Sequence, residues 1–352
     1  MGKFNKNKIN IFFCINGLQR GGAEKQLNYI SNYLNENYNI SIFTINSKKN
    51  SYKFNSKIKI YKLNTLFSLF FFLKKVIILK PKVVFFILPK AYFIFGTMLI
   101  FFPKIKKVLM RRSLNYYHKN LIYKFYEIFL HRFTHLFICN SIAAKKNLID
   151  SENISKKKVV VIKNFIEPYK KYKNFKKNNN FKILCISNFY RYKGHHLLLR
   201  SLSHIKNLSW DLSLFGEERE FKKNEIINYA KSLGLSKKIS FISKVNNKCS
   251  FPFFKLGIIL SKTESFPNAV LEYLSLKLPV LATNVGDIKY IVNKSNGILI
   301  NSRNSKIISK NIKKLIFDKN INKKSNYSKN LIKKYNNKNI TLKKYKKQIE
   351  KI

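Results

Sequence analysis

Two carboxylates, Glu264 and Glu272, stand eight positions apart around the segment Ser265-Phe266-Pro267-Asn268. Pro267 pre-sets its own φ and suits a first helical turn, and Ser265 or Asn268 can cap it, so the spacing predicts a helix from about Asn268 to Lys277. The N–H groups of such a first turn have no helical partners and bind phosphate readily. A carboxylate before the helix and another one turn inside it would flank that phosphate. Carboxylates have acceptor capacity only, so they suit hydroxyl donors such as those of a sugar and a ribose. The combination makes the segment a candidate site for a sugar nucleotide. Taken alone, Glu264 is equally a loop charge and Glu272 a partner of the helix dipole.

The elements around this pair follow a repeating order. Ile9 to Ile15 reads as a strand that leads through Gly21-Gly22 into an amphipathic helix ending near Leu34. A Gly-Gly pair there admits close approach of a ligand to backbone, although an ordinary turn explains it as well. Ile183 to Ser187 reads as a strand followed by Lys193-Gly194 and a helix with Leu197, Leu198 and Leu199. Strand, Gly-ended helix and strand recur over Leu212 to Val245, and a buried strand over Leu278 to Thr283 follows the carboxylate helix. Such alternation predicts an α/β chain with parallel sheets. At 352 residues the chain exceeds what one core usually serves. The expected division is a first domain over 1–167, a polar linker over 168–180, a second domain over 181–325 and a C-terminal helical tail over 326–352.

With these motifs in order, the chain resembles the family 4 retaining glycosyltransferases. The E-x7-E helix and the stretch Pro279-Val280, Ala282-Thr283 and Gly286 match that family's nucleotide-sugar signature, and "GGAE" at 21–24 and Lys193-Gly194 match its other two. The chain departs at Ser265, Lys277 and Asp287, where Gly is common. The resemblance implies a GT-B architecture, two Rossmann-like domains with parallel sheets facing an interdomain cleft. It implies a donor site formed by Gly21, Gly22, Lys193, Glu264, Ser265, Phe266, Asn268 and Glu272, with Lys193 neutralising the diphosphate and Glu264 and Lys193 as the catalytic pair. A second phosphate-binding position falls on Asn188 by strict spacing, with Arg191 as the alternative. The base would approach a loop ending near Val245. On the acceptor side, Arg111 and Arg112 occupy the place where many such enzymes carry a histidine, and nearby His118 reads as a surface residue.

Composition bounds the remaining readings. A net charge of +54 invites nucleic acid as a partner, but the lysines are scattered and no zinc-finger, helix-turn-helix or RNA-recognition pattern accompanies them. Phe, Lys, Asn and Ile all have A/T-rich codons, which is the simpler explanation, so no nucleic-acid partner is expected. Such a surface is still drawn to anionic lipid headgroups. Residues 83–102 approach the length of a membrane span, but Pro89 and Lys90 split them into a strand, Val83 to Leu88, and a helix, about Ala91 to Phe102. Leu66 to Leu79, with Phe clusters beside Lys74 and Lys75, suits either a core helix or a face that dips into headgroups. Cys14, Cys139, Cys185 and Cys249 have no metal or redox spacing, no Asp-x-Asp occurs and no signal peptide is visible. The expectation is therefore a cytoplasmic enzyme, with peripheral attachment to the inner face of the plasma membrane. It would use a nucleoside diphosphate sugar without metal or other cofactor, and a glycan or lipid-linked acceptor. The competing class is a non-catalytic, membrane-associated or nucleic-acid-binding protein of the same fold.

Overall fold

The computed structural model describes residues 7–46, 50–114, 118, 120–167, 170–171, 180–242, 250–251 and 254–352. The chain forms two compact units, Met1–Asn164 with Asn339–Ile352, and Phe165–Lys338.

The first unit contains strands β1 (Asn10–Ile15), β2 (Asn39–Thr44), β3 (Lys59–Lys62), β4 (Val83–Ile87), β5 (Lys106–Arg111), β6 (Leu136–Cys139) and β7 (Val159–Val161). They form one sheet in the order β3-β2-β1-β4-β5-β6-β7, parallel at every pairing. Helices α1 (Gly22–Leu34), α2 (Leu66–Leu79), α3 (Pro89–Met98), α4 (Leu121–His131) and α5 (Ile142–Glu152) connect them. All of β2 and β4 is buried, so these strands read as unbroken runs, NISIFT and VVFFI, instead of alternating. Phe72, Tyr92, Leu130 and Leu148, one from each of α2 to α5, share a core with Phe12, Val84 and Phe137, so the four helices cover one face of the sheet. Aromatic rings fill that layer: Phe12 and Phe43 lie 4.8 Å apart, Phe43 and Phe72 5.0 Å, and Phe72 and Phe95 4.7 Å. Pro89 is the first residue of α3, where its missing N–H costs nothing. The helix ends at Met98, four residues before the expected Phe102.

The second unit contains β8 (Lys170–Lys171), β9 (Phe181–Ile186), β10 (Trp210–Phe215), β11 (Ile239–Phe241), β12 (Ser250–Phe251), β13 (Leu256–Ile259), β14 (Val280–Thr283) and β15 (Gly297–Ile300). Six of them form a parallel sheet in the order β11-β10-β9-β13-β14-β15, and β12 pairs with β8. Its helices are α6 (His195–Ser203), α7 (Lys223–Ser232), α8 (Asn268–Ser275), α9 (Ser305–Ile316) and α10 (Ile321–Leu331). A last helix, α11 (Lys338–Lys351), falls almost wholly in the first unit, where Leu342, Tyr345 and Ile349 are buried. Both units are Rossmann-like α/β sheets, the GT-B pattern that the resemblance implies. Cys14, Cys139 and Cys185 are buried in β1, β6 and β9, whereas Cys249 lies outside the described residues. Among the described residues no helix is long and apolar enough to cross a membrane.

Candidate active site

Lys193 and Glu264 are brought together in the second unit by loops that leave the carboxyl ends of β9 and β13. Lys193 Nζ donates to Glu264 Oε1 at 2.5 Å, and Ser261 Oγ donates to the same oxygen at 2.7 Å. Thr283 Oγ1, at the end of β14, fixes Ser261 by donating to its carbonyl at 2.7 Å. The two loops are also tied through backbone, with Lys262 N–H donating to Tyr192 O at 2.7 Å. Two glycines permit this crowding. Gly194 has φ +78° and a Cβ there would meet Leu260 O at 2.4 Å; Gly286 has φ +57° and a Cβ would meet Glu264 O at 2.0 Å. Any side chain at either position would force these loops apart. The pair stays in reach of solvent, with side-chain exposures of 17% for Lys193 and 10% for Glu264.

Helix α8 begins at Asn268 with Pro267 at its N-cap, and no side chain caps it. The expected cap from Ser265 or Asn268 is therefore absent. Ser265 is buried and its carbonyl accepts from Asp287 N–H at 3.0 Å, which turns its role towards holding the loop after β14. The helix closes at Ser275, and Lys277 then takes φ +60°. That is the left-handed conformation glycine supplies freely and other residues adopt at a cost of roughly 1–2 kcal/mol. Glu272 is half-buried one turn into α8. Burial raises the pKa of the neighbouring Tyr273 hydroxyl well above its usual value, and Glu272 and Glu264 both push it further in that direction. Tyr273 is one residue that sequence reasoning missed: its hydroxyl donates to Ile258 O and accepts from Ile186 N–H, both at 2.8 Å, locking α8 to β13 and β9. The signal for it was Gly257, where a Cβ would meet the Tyr273 ring at 2.3 Å.

Of the two residues competing for the second phosphate-binding position, Asn188 accepts from Glu217 N–H through Oδ1 at 3.0 Å. The Arg191 guanidinium lies over the Phe221 ring at 5.5 Å, while the Arg191 backbone N–H donates to Glu220 Oε2 at 2.7 Å. Phe266 is buried and packs its ring 6.0 Å from that of Tyr335. His195 opens α6, buried, with Nε2 3.0 Å from Ser187 Oγ; burial pushes its pKa down to about 4, so the ring is neutral. Val245 lies outside the described residues. Among the described residues no group of three His, Cys, Asp or Glu side chains is placed to hold a metal ion.

Gly21, Gly22, Arg111 and Arg112 belong to the first unit. Gly21 is extended, donates its N–H to Tyr52 Oη at 3.3 Å and accepts from that hydroxyl at 3.0 Å; Gly22 opens α1. Arg111 is 4% exposed, with Nη1 3.1 Å from Glu127 Oε1 and Nη2 2.6 Å from Glu152 Oε2. His131 Nε2 lies 2.7 Å from the same Glu152 oxygen, and its Nδ1 lies 2.9 Å from the Tyr92 hydroxyl. His118 corrects the surface reading: it is 12% exposed with Nε2 2.5 Å from Glu127 Oε2, because α4 presents that carboxylate inward. Arg112 donates to Asn164 Oδ1 and to Tyr345 Oη of α11, both at 2.8 Å.

With this geometry in view, comparison with known proteins is informative. A family model for glycosyl transferases group 1 matches residues 148–336. An uncharacterized glycosyltransferase of Haemophilus influenzae is 30% identical over 146 residues, 40% of this chain and 40% of its own length. The capsular polysaccharide biosynthesis glycosyltransferase CapM of Staphylococcus aureus is 28% identical over 149 residues, 41% of this chain and 39% of its own. The chain thus spans about two fifths of the length of these curated relatives. In fold it is similar to Anabaena HepE, solved in complex with UDP-glucose, with a TM-score of 0.77 at 16% identity, covering 98% of this chain and 100% of that one. The family model covers more than half of the 352 residues, including the Lys193–Glu264 loops and α8, and on that ground the chain belongs to the glycosyl transferases group 1.

Proposed function

We propose that the protein transfers a hexose or N-acetylhexosamine from a nucleoside diphosphate sugar to a cell-surface glycan or lipid-linked saccharide, with retention of configuration. The observation that carries this reading is the 2.5 Å pair of Lys193 and Glu264 beside the uncapped start of α8. A cation and a helix N-terminus at one place suit a departing diphosphate, where preorganised charge lowers the barrier most. Lys193 would turn from Glu264 to the phosphates, leaving the carboxylate to orient sugar hydroxyls, while Glu272 would hold the ribose. Asn188 and Arg191 remain the two options for the second phosphate contact, and Gly21, Gly22 and Val245 keep their expected donor roles under the same proposal. HepE was solved with UDP-glucose, which supports a nucleoside diphosphate sugar as donor, and the name of CapM places it in capsular polysaccharide biosynthesis, which supports a surface-glycan acceptor. A lipid-linked acceptor would bring the protein to the inner face of the plasma membrane.

The test is turnover of a panel of UDP-, GDP- and ADP-sugars together with titration of the free diphosphates. Glu264→Ala should abolish turnover while diphosphate affinity holds or rises, since Lys193 loses a competitor. Lys193→Ala should weaken diphosphate binding. Turnover of none of the sugars, or unchanged diphosphate affinity in Lys193→Ala, would refute the assignment.

A further inference from the structure

We propose that the outer face of α2 and α4 in the first unit docks on an anionic lipid bilayer. The inference rests on the membrane-borne acceptor reading for its biological sense, but its observation is independent of the donor site.

Helix α4 is inside out. Its buried side carries Glu127 and His131 along with Leu130, whereas Leu121, Ile122, Phe125 and Phe129 face outward. Ile122 is 78% exposed and Phe125 65%. At 100° per residue these four positions fall within one stripe about a quarter-turn wide. In water an apolar stripe of this kind is unfavourable, and the ordinary remedy of turning it to the core is closed, because the Glu127 and His131 contacts fix the helix rotation. Helix α2 does the same from its side: Phe72 and Val76 enter the core while Phe70, Ile77 and Ile78 are exposed. Both helices lie on the same face of the first sheet, with α3 beside each: Phe72 packs on Phe95, and Phe93 stacks on Tyr123 at 6.0 Å.

Charge selects the occupant. No Asp or Glu occurs between Glu36 and Glu127, a stretch that includes all of α2 and α3 and half of α4, and Glu127 itself is buried. Lys74 stands exposed within the α2 stripe, Lys90 is exposed in the first turn of α3 and Lys124 lies on α4. Apolar side chains set among lysines, on helices whose one carboxylate is buried, fit an interface whose surface is anionic and whose interior is hydrocarbon. A second copy of this strongly basic chain would lack the complementary charge. No described helix is long enough to span, so the helices would lie in the headgroup plane.

A chain with this net charge adsorbs to any anionic surface, so the test must separate charge from apolar insertion. The full chain is sedimented with phosphatidylcholine vesicles containing phosphatidylglycerol, at low salt and near 1 M, where the Debye length is about 3 Å. The variant pair Ile122→Ser and Phe125→Ser conserves charge, and a control pair, Ile307→Ser and Phe317→Ser, removes exposed apolar groups from the second unit. Wild type and control should remain bound at high salt, and the α4 pair should bind at least about tenfold more weakly. Equal binding of all three, or complete release of wild type at high salt, overturns the proposal. So does a lipid-free dimer that the α4 pair dissolves. If the α4 pair lowers the melting temperature, Phe70→Ser with Ile77→Ser reads the same face from α2. Sugar-nucleotide turnover in vesicle-free buffer is measured alongside: loss there in wild type refutes the donor reading and leaves docking standing, and the reverse holds equally.

Discussion

The ionic clusters around Arg111 and Lys193, one in each unit, are built to opposite specifications. Around Arg111, two carboxylates, two imidazoles and the Tyr92 hydroxyl satisfy one another where solvent scarcely reaches. Around Lys193, a single carboxylate faces a single ammonium on partly exposed loops, braced by one hydroxyl. A buried, multiply paired guanidinium cannot be recruited by a ligand without leaving Glu127 and Glu152 uncompensated. A partly exposed ammonium with a single carboxylate partner can be exchanged at a smaller cost. The first cluster has the form of a structural brace at the place where acceptor-side chemistry is expected, and the second has the form of a binding site.

The sharpest way to break this contrast is Arg111→Ala. It strands two buried carboxylates and should destabilise the first unit by about 3–5 kcal/mol, seen as an early urea transition; a loss below about 1 kcal/mol would mean the cluster is already wet. Lys193→Ala should do the reverse, lowering turnover by roughly 10²–10³-fold with the urea midpoint nearly unmoved. Acid separates the units differently. The folded-state pKa of His195 is depressed to about 4 from 6.5, so its contribution is fully present above pH 6.5 and is lost as pH falls towards 4, because the unfolded chain takes up the proton first. His195→Gln should flatten that acid limb by about 2 kcal/mol at pH 5 in urea titrations, and an unchanged slope would remove His195 as its source. The smallest expected effect is Ser261→Ala, which deletes one brace of Glu264. It should cost about 1 kcal/mol in stability and reduce turnover less than tenfold.

What was legible in the sequence was local. The strand and helix at 10–34, Lys193-Gly194 at the mouth of α6 and the Glu264–Glu272 helix all depend on residues within a few positions of one another, and they formed within one or two residues of their expected limits, apart from a few-residue shortening at the ends of α3 and the strand before Thr283. The glycine-like position at Lys277 was also readable, since the backbone turned left-handed there despite the side chain. Illegible were arrangements assembled from distant segments. Tyr92, Arg111, His118, Glu127, His131 and Glu152 come from three helices, a strand and a loop, and nothing in their spacing announces a network. Helix α4 misled for the same reason: His118 reads as exposed only until Glu127 is known to point inward. Leu66 to Leu79 met both of its readings at once, with Phe72 in the core and Phe70 outside.

The assignment of α11 to the first unit has a consequence for synthesis. Tyr345 is buried and takes a hydrogen bond from Arg112, so the first unit is complete only after residues 339–352 have been made. The second unit is contiguous, from Phe165 to Lys338, and can close while the chain is still growing. On the ribosome, then, the half that emerges first is the half that finishes last, and it waits with the Arg112 side of its surface open through translation of the entire second unit.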